Sequence, residues 1–253
     1  MVEALKPACF HHEAKCEIDC IQAEDVEGLL GADRLRGLDG IVIPGGFGSR
    51  GFEGKIAAAQ FAREEGIPCL GLCLGMHAMT TDFARNVLAM PGANSSEMDP
   101  STKYPVIDLM HDQRDVTDMG GTMRLGAYYA VLEPDSRVAR AYGEPVVSER
   151  HRHRYEFNPK FKSRFEEAGF RCSGISPDRR LVEFIELADH PYWVATQAHP
   201  EFKSRPDRAH PLFRDLIGAA LAHRDATPPG LRRMLDEATA EAHETEAAPG
   251  STA

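Results

Sequence analysis

Basic residues are in deficit: 29 Lys and Arg stand against 39 Asp and Glu, a formal net charge of −10. A surface of that sign does not hold nucleic acid through bulk electrostatics, so no nucleic-acid partner is expected. Long apolar runs are missing as well. None approaches the roughly 20 residues of a bilayer-spanning helix, so no membrane partner is expected either. The opening MVEALKPACF lacks the basic segment and long apolar stretch of a secretory signal, and a cytoplasmic protein is the expectation. Cysteine, at six in 253 residues, is too sparse for a disulfide-built scaffold, and all six are expected to be reduced. Cys16 and Cys20, with His11 and His12 nearby, are spaced more loosely than zinc pairs usually are, and no metal is expected. The remainder, 42% apolar and 27% charged, is ordinary globular composition in a chain long enough for one large domain or two small ones.

Short β-type runs alternate with helical ones through the first half. Residues 15–21 (KCEIDCI), 39–46 (DGIVIPGG) and 67–73 (IPCLGLC) predict strands. A helix is expected from Gly54 to Glu65, stopped by Gly66 and Pro68, and another from Met76 to Leu88. Strand, helix and strand of this size form a βαβ unit, hence a parallel sheet with a right-handed crossover. The second half is richer in strands, at 122–133, 146–158, 170–176, 181–187 and 193–199, with helices at 159–168 and 210–223. The expected class is α/β: an open, mostly parallel sheet flanked by helices, with extra antiparallel strands. The stretch from Ala89 to Asp118 is loop-rich, a length that in compact domains is often functional. One domain is expected over 1–225, followed by a flexible tail over 226–253, whose ETEAAPGSTA ending has too little apolar content to pack.

The strongest chemical signal is Gly-Leu-Cys-Leu-Gly, Gly71 to Gly75, at the junction of an apolar strand and a helix. A turn of this form holds its central residue in a strained backbone and needs small neighbours. It would lift the Cys73 side chain above the sheet edge, beside a helix N-terminus whose partial charge favours a thiolate. Cys69, inside the strand, reads instead as a core residue. QAHPEF supplies the partner: His199 and Glu201 are two residues apart, and Pro200 keeps His199 extended, so both side chains are expected on one side. A carboxylate behind an imidazole fixes its tautomer and stabilises the imidazolium, which completes a nucleophile, base and orienter set. The glycine-rich IPGGFGSRGFEGK, Ile43 to Lys55, lacks both the Walker spacing and G-x-G-x-x-G. Its alternative use is an oxyanion hole built from Gly45, Gly46 and the amide of Leu74.

Together, PGGFG, the elbow G-x-C-L-G-M and HPEF resemble the triad-type class I glutamine amidotransferases, whose fold is flavodoxin-like. GFGSRGFEGKI, GGTMRLG, SERHRHRYEFN and HPEFKSRP are similar in particular to the amidotransferase domain of the CTP synthase family, from about Val2 to about Ala222. The resemblance implies that Cys73, His199 and Glu201 hydrolyse glutamine through a γ-glutamyl thioester. It places glutamine against Gly46, Leu74, Gly75, Met76, His77, Glu97 and Arg154, with Arg154 suited to the carboxylate and Glu97 to the ammonium. It assigns Phe47 and Arg50 to a nucleotide-responsive lid. It implies no cofactor in this domain, ATP, Mg and GTP used with a synthetase domain, and a homo-oligomer at full length. Two departures stand out. His77 replaces the family's glutamine, introducing a group that can carry charge. The family's first strand, and the synthetase domain before it, have no counterpart ahead of VEAL. On these grounds two alternatives stay open: an inactive or regulatory remnant, and a hydrolase of other γ-glutamyl amides.

Overall fold

The computed structural model describes residues 1–28, 31–109 and 123–228, together with 230, 234 and 235. Its centre is a seven-stranded sheet in the order β1-β2-β10-β9-β8-β5-β6, formed by Ile41–Ile43 (β1), Cys69–Leu72 (β2), Arg124–Leu132 (β5), Val146–His153 (β6), Phe170–Ile175 (β8), Val182–Leu187 (β9) and Trp193–Thr196 (β10). Asn94–Ser95 (β3), Pro105–Asp108 (β4) and Glu156–Phe157 (β7) make a second, small sheet. The expected βαβ unit is present, since β1 and β10 both run parallel to β2. The remaining pairings of the large sheet, from β10 to β6, are antiparallel. Parallel order therefore covers three strands, and the antiparallel strands are the larger part.

β2 and β10 are buried at every position, as expected of strands covered on both faces. On one face lie the helices Phe52–Glu65 (α2) and Leu74–Asn86 (α3), whose Met79 and Phe83 join Phe165, Phe170 and Trp193 in one apolar cluster. On the other face Val2–His11 (α1) and Pro211–Ala226 (α6) bring Leu5, Leu212, Phe213 and Leu216 against Leu70, Leu72, Val194 and Phe184. The short helices Arg137–Tyr142 (α4) and Lys162–Glu167 (α5) complete the layers. α2 stops where the sequence places its end: Gly66 is left-handed (φ 70°) and its N–H donates to Ala62.

Several expectations are corrected. KCEIDCI is not a strand and pairs with nothing in either sheet, although its alternation suits one. A period-two pattern needs a neighbouring strand to satisfy its backbone, and among the described residues β1 pairs on its β2 side alone. Not every cysteine is reduced. The chain reverses just after α1, with Glu13 at φ 51°, and brings Cys16 back to Cys9 in a disulfide. The helix expected from Gly54 begins at Phe52, and the one expected over 159–168 is a 3₁₀ turn, Pro159–Phe161, leading into α5. α6 runs through Ala226, so helix extends one residue into the expected tail, which otherwise falls largely outside the described residues. The same holds for 110–118 of the loop-rich stretch.

Two elbow glycines are fixed by close approach. A Cβ on Gly75 would sit 2.1 Å from the Ile43 carbonyl oxygen, and one on Gly71 2.4 Å from the Met79 sulfur. Neither backbone nor buried helix can yield that far without displacing α3 from β1. Gly75→Ala is therefore expected to lower stability by about 1–3 kcal/mol, read as a fall in the urea midpoint at unchanged slope.

Candidate active site

Cys73 ends β2 and caps α3, with φ 52° and ψ −106°, a combination that side chains other than glycine's rarely adopt. Its N–H donates to Thr196 O at 2.8 Å, which ties the turn to the last residue of β10. That neighbour also launches the segment carrying His199. Gln197 N–H donates to Glu183 O (2.9 Å), and His199 N–H to Arg150 O (2.8 Å) on β6. The nucleophile turn and the imidazole thus hang from adjoining points of the sheet, although well over a hundred residues separate them in sequence.

After His199 the chain does not stay extended as expected. Pro200–Phe202 form a 3₁₀ turn, a conformation proline favours at its first position. The turn still carries Glu201 back, and its Oε1 accepts the Nδ1–H of His199 at 2.7 Å. A carboxylate is acceptor only, so this bond places the proton on Nδ1 and leaves Nε2 for another partner. Nε2 is buried without a hydrogen bond of its own, the Cys73 side chain lies near the ring, and the Cys73 thiol donates to Arg152 O at 3.8 Å. Burial disfavours the imidazolium, but hydrogen bonding to Cys73 and to Glu201 outweighs it and raises the His199 imidazole to about 10.

Beside the sulfur lies a cavity of about 220 Å³. It is lined by Gly46, Phe47, Cys73, Leu74, His77, Glu97 and Arg154 from the expected set. Met123, His153 and Tyr155 line it too, and the sequence reading missed them. Gly75 is consumed by packing and Met76 is fully buried in the apolar cluster, so neither side of the elbow helix presents them to the cavity. Gly45 lies behind the sulfur: a Cβ there would be 3.0 Å from His199 Cε1 and 3.4 Å from Cys73 Cβ. Arg50 does not line the cavity; it is exposed and pairs with Glu24. Glu97 accepts from Gly48 N–H at 3.3 Å, and burial raises its carboxyl while the amide bond and Arg154 oppose that.

His77 bonds Gln197 through Nε2 at 2.9 Å, and burial lowers its imidazole to about 4 despite that bond. At neutral pH it is an uncharged donor and acceptor, which is what the family's glutamine side chain would be. On β6 the alternation of SERHRHR sends His151 and His153 inward and Arg150 and Arg152 outward. His151 Nδ1 and His153 Nε2 are 2.9 Å apart, and burial keeps both imidazoles neutral, His151 at about 3. Behind them Arg124 donates to Glu183 (2.7 Å) and Glu156 (3.2 Å) and lies over the Tyr128 ring. The loop bearing Glu201 is fastened to the same strand: Lys203 donates to Ser148 O and to Glu149 Oε1, and buried Glu149 also accepts from His210 and Tyr142. Among the described residues no cluster of three or more His, Cys, Asp or Glu is placed to hold a metal, and no helix is long and apolar enough to cross a membrane.

A strained cysteine at a strand-to-helix elbow, an imidazole–carboxylate pair and a small cavity thus lie together at one place in the fold. The profile of the family described as glutamine amidotransferase class-I matches residues 1–219, and the chain belongs to that family. Within it the chain belongs with the glutaminase domains of CTP synthase. It is 54% identical over 221 residues to the CTP synthase of Bacillus velezensis and 53% identical over 221 residues to that of Bacillus subtilis. Each alignment takes in 87% of this chain and 41% of the relative, so the chain spans about two fifths of their length. A structure described as the Trypanosoma brucei CTPS glutaminase domain with bound acivicin superposes with a TM-score of 0.83 at 34% identity, covering 87% of this chain and 86% of that one.

Proposed function

We propose that residues 1–225 hydrolyse glutamine to glutamate and ammonia, with Cys73 as nucleophile, His199 as base and Glu201 as its orienter. The observation that carries this reading is the His199 imidazole, bound by Glu201 on Nδ1 and packed with Cys73 around Gly45. The thiolate attacks the side-chain amide carbon, and the amides of Gly45, Gly46 and Leu74 receive the developing oxyanion. His199 returns the proton to the leaving nitrogen, ammonia departs and a thioester remains. Water, deprotonated by the same imidazole, then releases glutamate and restores the thiolate. Arg154 and Glu97, which line the same cavity as Cys73, hold the carboxylate and ammonium of glutamine. His77, neutral at working pH, takes the place of the family's glutamine, which weakens the ground for a binding-only remnant.

The ammonia serves ATP-dependent amination of UTP to CTP by a synthetase domain, as the names of the relatives suggest. ATP and Mg are used in that domain, and GTP acts through the segment around Phe47 and Arg50. The working assembly is a cytoplasmic homo-oligomer that includes it. An electrophilic glutamine analogue such as a diazo-ketone, which takes up the thiol proton and loses dinitrogen as the sulfur bonds to its carbon, is expected to add its mass less dinitrogen to Cys73 and to no other cysteine. The measurement is peptide mass spectrometry on folded protein, and an unmodified Cys73 would sink the proposal.

A further inference from the structure

The loop from Pro44 to Gly46 and the cation behind it carry a function that the triad does not explain. Lys55, in the first turn of α2, directs its ammonium at two consecutive backbone carbonyls, Pro44 O at 2.7 Å and Gly45 O at 3.3 Å. Among the described residues no carboxylate pairs with it. Both peptides are trans, as no cis bond occurs in the described chain. In a trans peptide the C=O and the following N–H point in opposite directions. Once Lys55 holds the two carbonyls, the N–H groups of Gly45 and Gly46 face away from it. Gly45 backs onto Cys73 and His199, and Gly46 lines the cavity with Cys73 and Leu74.

We propose that Lys55 is a positioning residue for the oxyanion site: its two carbonyl bonds set the loop peptides so that their amides meet the negative oxygen formed at Cys73. This rests on the glutaminase reading above. Helix α2 is itself held in place for the task, because Gly54 packs so tightly that a Cβ would fall 1.7 Å from the Ala23 carbonyl oxygen. Burial lowers the ammonium's pKa, and the neighbouring Cys73 opposes that shift. Without the lysine, either peptide can rotate its carbonyl toward the cavity, where it repels the oxyanion instead of binding it.

The test compares Lys55→Met and Lys55→Arg with the unaltered chain in three measurements. The first is glutamine hydrolysis. The second is reversible inhibition by a γ-aldehyde analogue: the Cys73 thiolate adds to its carbonyl carbon, the C=O π pair moves onto oxygen as an oxyanion, and His199 keeps the thiol's proton. The third is alkylation of Cys73 by iodoacetamide, which displaces iodide and builds no oxyanion. Lys55→Met is expected to lower kcat by about 10²-fold and weaken aldehyde binding in proportion, with KM moved less than about threefold. Cys73 alkylation should stay within about threefold, and Lys55→Arg, which keeps donors, should recover at least a tenth of kcat by about the same reasoning. An unchanged kcat and aldehyde affinity overturns the proposal. So does a fall in alkylation parallel to that in kcat, which would assign Lys55 to the thiolate instead. If the methionine variant does not fold, Lys55→Ala, which also lacks a donor, is read in the same way. The aldehyde arm needs no turnover, so a chain that releases no glutamate defeats the glutaminase reading while leaving Lys55 still measurable.

Discussion

Cys73→Ser is expected to reduce glutamine hydrolysis by about 10⁴-fold or more in kcat, with the thermal midpoint within a few degrees of the parent. The substitution exchanges one atom in a buried position, so packing of α3 on β1 and the bond from residue 73 N–H to Thr196 O persist. What disappears is the sulfur. Hydrogen bonding to the sulfur is among the causes that lift the His199 imidazole to about 10 against the penalty of burial. A serine hydroxyl does not ionise to support it, so His199 loses that partner and the nucleophile is a neutral alcohol of low reactivity. Glutamate release followed by a coupled dehydrogenase assay measures the result. Residual activity above about 1% of the parent would mean that another group attacks the amide, since a triad that loses its nucleophile retains far less.

The second large effect concerns stability. Arg124→Met is expected to destabilise the fold by about 3–5 kcal/mol, the usual consequence of removing one partner from a buried ionic group. Arg124 is the cation between Glu156 and Glu183, whose side chains are almost wholly buried. Burial raises both carboxyls, Glu156 to about 8, even with Arg124 opposing the shift. A carboxyl raised in the folded state contributes stability at pH below its unfolded value, and that contribution is lost as pH rises toward the folded value. Without the guanidinium both carboxyls are driven further up, so the loss should be smallest near pH 5 and grow through pH 8. Urea unfolding at those two pH values measures it. A loss below about 1 kcal/mol, equal at both pH values, would show that solvent reaches the carboxylates and screens them.

The elbow and the His-x-Glu pair were legible because each is local: a few neighbouring residues determine what the backbone must do. The glycines at 71 and 75 are forced by contacts at 2.4 Å and 2.1 Å, and a strand running into a helix leaves few alternatives. KCEIDCI misled because its alternation says how side chains would divide between two faces, not whether a partner strand stands beside it. The disulfide was missed for a related reason: composition argued for reduced thiols, while the reversal at Glu13 brings two of them together. The long antiparallel β5–β6 ladder carried a readable signal that went unused. Period two through SERHRHR places every second residue inward, which marks His153 as a cavity residue. The pairing of Arg124 with carboxylates 32 and 59 residues away could not be read at all, because it depends on how the sheet folds back. Lys55 was visible within the glycine-rich segment, but its partners are main-chain carbonyls, which leave no trace in side-chain identity.

The torsions of Cys73 carry a wider consequence. At φ 52° and ψ −106° a residue with a β-carbon sits on an energetic slope that glycine would not feel. A chain shaped by durability alone would settle on glycine there and lose its reactive atom. The discomfort of that single residue is therefore maintained against the interest of the fold, and the surrounding burial supplies the surplus that lets the molecule carry it.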